Sequence, residues 1–206
     1  VEPYYAVKCN PNPVLLRVLS ELGTCFDCAS SDEMDRVRAL GVAADRIIFA
    51  NPCKAAPQIA HARRVGVKLM TFDNEDELAK VARVYPDAEL VLRIATDDAH
   101  SLCRFSSKFG APMDAVPHLL ATAARLGLRL VGVSYHVGSG CADAACHGAA
   151  AADALRVFQL AAQYGYQMRL LDIGGGFLGE DDANPSLADV ALHLMPVLAQ
   201  FPAGTR

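Results

Sequence analysis

The chain has 206 residues, 52% of them hydrophobic and 20% charged, with 19 basic against 23 acidic side chains and a formal net charge of −4. That length and apolar content suit one domain with a sizeable core; a pI near 5.8 and the lack of any basic block argue against nucleic acid or an anionic membrane as partner. No apolar run approaches the roughly 20 residues that cross a bilayer, nor does the start show a secretory leader, so a small cationic or zwitterionic ligand stays open.

In chain order, β-branched or aromatic runs predict strands near 4–7, 24–28, 46–50, 68–72, 89–95, 130–136 and 169–173, and longer periodic segments predict helices near 13–22, 31–40, 55–65, 75–85, 113–126, 144–164 and 186–200. Ser31, with Met34 and Asp35 beyond it, and Asp73-Asn74 before Glu75 supply side-chain oxygens for helix starts. Gly23, Gly41, Gly66, Gly127 and Gly165 stand where helices should stop.

Strand and helix alternating in this way predict a parallel α/β sheet. Eight βα units close a barrel, whereas open doubly wound sheets commonly have about five or six strands. The expected fold class is therefore a (β/α)8 barrel with seven of its eight units present and residues 1–206 forming one partial domain. Val1 is not methionine and strand character begins at once, so an internal fragment of a longer chain is expected, with the last strand beyond Arg206.

The seven cysteines are odd in number and scattered, which suits reduced thiols in a cytoplasmic setting rather than a disulfide framework. Cys25-x-x-Cys28 lacks the second pair a zinc site wants and reads as strand packing. Cys141-Ala-Asp-Ala-Ala-Cys146-His147 holds candidate metal ligands without a recognised spacing.

In a barrel of this kind the chemistry sits at the carboxyl ends of the strands. Polar residues collect there: Lys8, Asp27 with Glu33, Arg93 followed by Asp97-Asp98, His136 with Ser139-Gly140, and Asp172 before Gly174, Gly175 and Gly176. Three glycines after a strand are either a flexible turn or a backbone cradle for an anion, and Ser139-Gly140 adds a second set of donors. Lys8 is either a solvated strand-end charge or an amine buried in an apolar segment and suited to Schiff-base chemistry. A lysine, a phosphate loop and a ring-sized His136 together suggest pyridoxal phosphate.

The segments Tyr5-Ala-Val-Lys8-Cys-Asn10, Phe26-Asp-Cys-Ala-Ser30, Ala50-Asn-Pro-Cys-Lys54, Leu92-Arg-Ile-Ala-Thr-Asp-Asp98, Lys108-Phe-Gly110, His136-Val-Gly-Ser-Gly140 and Asp172-Ile-Gly-Gly-Gly-Phe177 span essentially the whole chain. In order and spacing they resemble the eukaryotic ornithine decarboxylases, of the alanine-racemase-like pyridoxal phosphate class. The resemblance implies that Lys8 carries the cofactor covalently, that Asp27, Glu33 and Arg93 surround it, and that His136 stacks on its ring and directs protonation. It assigns the phosphate to Ser139 and Gly174 to Gly176, and to Lys108 either a salt bridge across a homodimer or a solvated surface charge.

The implied reaction is decarboxylation of L-ornithine to putrescine, with lysine, arginine or diaminopimelate as other substrates of the class. Parts of the family's site lie beyond Arg206, so the isolated fragment is expected to be inactive. Two other readings of the resemblance are a non-catalytic antizyme inhibitor, whose members tend to lose the aspartate matched by Asp27, and a small pyridoxal phosphate carrier. Antizyme is an implied partner of either reading with the longer chain, through the surface near 55–79. Cys25, where the family often has glycine, is a departure.

Overall fold

Apolar β-branched runs form the strands and 3.6-periodic segments form the helices of the computed structural model, which describes residues 1–180 and 182–206. The chain divides into two compact units, Val1–Val91 with Thr122–Leu130 and Arg206, and Leu92–Ala121 with Val131–Thr205.

The first unit alternates β1 (Tyr4–Ala6), α1 (Pro13–Glu21), β2 (Cys25–Cys28), α2 (Ser31–Ala39), β3 (Ile47–Phe49), α3 (Ala56–Val65), β4 (Leu69–Phe72), α4 (Glu75–Val84) and the start of β5 (Glu89–Arg93). Its strands lie side by side in chain order and run parallel, with Ala6 opposite Asp27, Cys28 opposite Phe49 and Phe49 opposite Met70. Each helix is the crossover that a parallel pair requires. Both faces of such a sheet are covered, and β3 and β4 are buried at every residue. Phe26, Phe49, Phe72 and Leu90 on the strands and Leu16, Met34, Ile59 and Leu78 on the helices are fully buried and belong to the core.

Helix ends here follow the sequence signals, with one correction. Asn12 caps α1 ahead of Pro13, and Asn74 caps α4 by accepting from Glu77 N–H. The cap of α2 is Ser30 rather than Ser31: its hydroxyl accepts from Glu33 N–H, while Ser31 is the first helical residue. Gly23, Gly41, Gly66, Gly127 and Gly165 all take positive φ, the left-handed conformation that closes a helix.

The second unit contains the end of β5, β6 (Ser101–Cys103), the start of α5 (Val116–Arg125), most of β7 (Arg129–Ser134), β8 (Ser139–Cys141), α6 (Ala145–Gln163), β9 (Leu170–Asp172) and α7 (Leu187–Leu198). β7 and β9 are parallel, with Val133 opposite Leu171. Helix α6 buries Ala151, Ala154, Val157 and Ala161, and Phe158 meets Phe201 edge-on at 4.9 Å. The sequence did not predict β6 and β8, which pair antiparallel as a short ribbon joining Ser101 to Cys141 and Cys103 to Ser139. Each is three residues long, too short for an alternating pattern to register.

All seven cysteines are free thiols. Among the described residues no cluster of His, Cys, Asp or Glu is arranged to hold a metal ion, and no helix is long and apolar enough to cross a membrane.

Candidate cofactor site

The first unit brings Lys8 and Asp27 together. Val7 N–H donates to Asp27 O at 3.0 Å, continuing the β1–β2 ladder, and the turn closed by Cys9 N–H on Ala6 O places Lys8 just past the strand. Its Nζ lies 3.4 Å from Asp27 Oδ1. The expected burial of this amine does not hold, because the Lys8 side chain is 59% exposed. The strand ends at Ala6 and the apolar residues that promised a buried segment precede it. Lys8 is thus an accessible amine held beside a half-buried carboxylate.

Glu33 sits one turn into α2. Its Oε2 accepts from Ala29 N–H at 2.6 Å while its own N–H donates to Ser30 Oγ at 3.3 Å, a reciprocal arrangement at the helix start. Behind these groups lies the fully buried thiol of Cys28, pushed up by burial, then by the Glu33 and Asp27 carboxylates, with Lys8 opposing. Asp27 within β2, Lys8 beside it and Glu33 on the Ala29 N–H just past the strand share the end of β2.

The second unit gathers His136, the glycines and Arg93. Gly138 N–H donates to His136 Nδ1 at 3.0 Å, which leaves Nε2 as the protonated nitrogen of the neutral ring. The Phe105 ring meets the imidazole edge-on at 5.0 Å, and Thr96 Oγ1 donates to the His136 carbonyl at 2.9 Å. Arg93, at the end of β5, has its guanidinium 5.1 Å from the centre of the Phe109 ring. Ser139 is exposed at the start of β8, and Lys108 is exposed.

Backbone proximity explains the three glycines. A Cβ on Gly174 would lie 2.0 Å from Tyr135 O, one on Gly175 2.9 Å from His136 Nε2, and one on Gly176 2.6 Å from Gly138 O. Gly174 and Gly176 also take positive φ. Asp172 Oδ1 accepts from Gly174 N–H at 2.8 Å and fixes the start of the loop. The amides of Gly175, Gly176 and Phe177 find no acceptor among the described residues. Successive amides without acceptors beside a histidine ring are the donor set that a phosphate ester on an aromatic ring needs.

Phe105, Phe109, Asp98 and the capping contact of Asp172 were not assigned roles from sequence. Asp98 is buried and its carboxylate accepts from Phe105 N–H, from Ser106 N–H and from Ser106 Oγ at 2.6 Å. In the sequence, Asp98 stands out only as half of an acidic pair after a strand. Sequence reading also passed over the buried ion pair of Lys54, 2.8 Å from Glu77.

Residues 1–206 match the family model described as pyridoxal-dependent decarboxylase, pyridoxal binding domain. The chain is 52% identical over 206 residues to the ornithine decarboxylase of Neurospora crassa, covering 100% of this chain and 42% of that protein. It is 50% identical over 201 residues to antizyme inhibitor 2 of Xenopus laevis, covering 98% of this chain and 44% of that protein. The solved arginine decarboxylase of Paramecium bursaria Chlorella virus bound to agmatine superposes with a TM-score of 0.94 at 36% identity, covering 100% of this chain and 55% of that one. The chain therefore spans less than half the length of these curated relatives. The fold class is the one expected, seven βα units of an alanine-racemase-type α/β barrel.

Proposed function

The chain belongs to the pyridoxal-dependent decarboxylases, and from that membership we propose that it serves the decarboxylation of L-ornithine to putrescine as part of a longer protein. The observation that carries this reading is the Lys8–Asp27 pair, an accessible amine with a carboxylate 3.4 Å away. Ornithine is favoured over lysine, arginine or diaminopimelate by the 52% identity to an ornithine decarboxylase. In this proposal residues 1–206 are one partial barrel domain of a cytoplasmic homodimer, and the isolated chain lacks activity.

Bound pyridoxal phosphate supplies an electron-poor ring that takes up the electron pair left on Cα when carbon dioxide departs. Lys8 Nζ would be the nucleophile that carries the cofactor, with Asp27 Oδ1 3.4 Å away as its hydrogen-bond partner. The amides of Gly175, Gly176 and Phe177, with Ser139, bind the phosphate. His136 would hold the cofactor ring, exclude water beside it and direct the proton that replaces the carboxyl group. Gly138 N–H fixes its tautomer for that task. Arg93 and Glu33 complete the polar surroundings, with Glu33 also capping α2.

Borohydride reduction of the full-length protein loaded with pyridoxal phosphate should leave a pyridoxyl adduct on Lys8, read by peptide mass. Carbon dioxide release should be fastest with ornithine when the four amino acids are compared, and Lys8→Ala should abolish it. An adduct on another lysine would overturn the assignment of Lys8, and faster release from another amino acid would overturn ornithine.

A second reading, a non-catalytic antizyme-binding protein, is supported by the 50% identity to antizyme inhibitor 2. Retention of Asp27 beside Lys8 favours the enzyme. Capture of antizyme by a protein that forms no adduct and releases no carbon dioxide would reverse that order.

A further inference from the structure

The segment from Cys141 to His147 carries metal-ligand side chains, and its His147 is stacked inside the protein. His147 is the third residue of α6 and is 1% exposed. Its imidazole lies flat against the ring of Phe177, with centroids 4.6 Å apart and planes inclined by 20°. Its Nδ1 is buried without a hydrogen-bond partner.

Phe177 is the first side chain after three consecutive glycines. Glycine has the widest backbone freedom of any residue, so a glycine run cannot hold its own amides in a fixed direction. Its surroundings must do so: Cys141 N–H donates to Gly176 O at 3.3 Å, and contacts hold the two ends. At one end Asp172 holds Gly174 N–H. At the other, the stack of Phe177 on His147 ties the loop to a nineteen-residue helix.

We propose that His147 is a positioning residue for the cofactor phosphate: stacked on Phe177, it keeps the amides of Gly175, Gly176 and Phe177 aimed at the phosphate, and a second proton on its ring releases them. This rests on the phosphate reading of the glycine loop given above. In the closed loop, a protonated imidazole would present a buried N–H at Nδ1 with no acceptor. Consistent with this, burial holds the group below its ordinary value of 6.5, with no neighbouring charge contributing.

The titratable groups around it do not substitute for that role. Tyr135 Oη donates to the His147 carbonyl and is itself pushed up by burial and by Asp172, so it stays neutral. His193 of α7 presents its carbonyl to Gly148, where a Cβ would lie 2.8 Å away. Asp143, Cys141 and Cys146 engage one another before and at the start of α6. The linkage has one sign: because the ring regains its ordinary value when the loop opens, opening is favoured as pH falls below 6.5 and is unaffected well above it.

The test measures dissociation constants of pyridoxal phosphate and of pyridoxal, by equilibrium dialysis of the full-length protein across pH. The wild type should bind pyridoxal phosphate measurably more weakly at about pH 5.5 than at about pH 7.5, the direction set by the lowered value of the ring. His147→Phe, which keeps a stacked ring and cannot titrate, should bind tightly at both and remove that difference. His147→Ala should lose about tenfold of the preference for pyridoxal phosphate over pyridoxal at the higher pH. The proposal is overturned if His147→Phe weakens at acid pH as the wild type does, or if His147→Ala keeps the full preference. If the wild type shows no preference for the phosphate ester, the phosphate reading of the loop has failed instead.

Discussion

The ammonium of Lys54 lies 2.8 Å from Glu77 Oε1, and neither side chain reaches solvent. Lys54 Nζ also donates to the carbonyls of Asn51 and Thr71, and Lys80 approaches the other oxygen of Glu77. Burial lowers the affinity of Lys54 for its proton, and the Glu77 carboxylate works against that. The cluster joins the loop after β3 to the first turn of α4.

Removing one partner strands the other charge in an apolar surrounding, so Glu77→Gln or Lys54→Met should destabilise the protein by about 3–5 kcal/mol. The double substitution Lys54→Met with Glu77→Gln should lose much less than the sum of the two. Urea unfolding of the three variants measures this; simple additivity would show that the pair is not coupled.

A Cβ on Gly175 would meet the flexible end of His136 at 2.9 Å, whereas one on Gly174 would meet the backbone oxygen of Tyr135 at 2.0 Å. Gly175→Ala should therefore fold and displace the imidazole, weakening pyridoxal phosphate binding about tenfold or more. Gly174→Ala should lower the melting temperature as well, since it forces the backbone apart at positive φ. Binding titrations paired with thermal melts separate the two effects, and equal behaviour would refute the distinction.

Burial of the Asp98 carboxyl works to raise its pKa, but hydrogen bonds from Ser106 and Phe105 outweigh it and hold the group below 3.8. The stability this lends to residues 98–106 is present above 3.8 and is lost as pH falls through the lowered value. Asp98→Ala should loosen that loop by about 2 kcal/mol at neutral pH and remove Phe105 from the edge of His136. Proteolysis at 98–106 would detect it; unchanged cleavage would count against the clamp.

The amides of Gly175, Gly176 and Phe177, lacking acceptors among the described residues, should exchange with deuterium quickly. Saturating inorganic phosphate should slow exchange at these three positions. Slowing elsewhere in the chain, with none here, would place the anion at another site.

Much of this was legible in the residues themselves. Runs such as Ile47-Ile-Phe49 and Leu69-Met-Thr-Phe72 are apolar because both faces of a parallel strand are covered, and the glycines that end helices carry the backbone conformation that ends them. The signals that failed depend on surroundings. Ser30 and Ser31 are equally good caps, and only the backbone bend at Ser30, with φ −148, chooses between them. The start of α5 falls at Val116 rather than Met113 because a turn from Pro112 to Ala115 precedes it. Lys8 and Lys54 both follow apolar stretches, yet one lies past a strand end and the other folds back onto Glu77, so the buried amine is the one that sequence context did not single out. The roles of Phe105 and His147 depend on ring contacts between residues 31 and 30 positions apart in the chain (136 − 105 and 177 − 147), which no local pattern encodes.

Every amino acid other than glycine brings a Cβ. At Gly174 and Gly176 such an atom would collide with the backbone of the segment 135–138 at positive φ, so these two positions have no conservative neighbours in sequence space. A lineage could vary Lys54 and Glu77 together, or exchange one aromatic ring for another at Phe177, and pass through tolerable intermediates. At Gly174 and Gly176 it has nowhere to step.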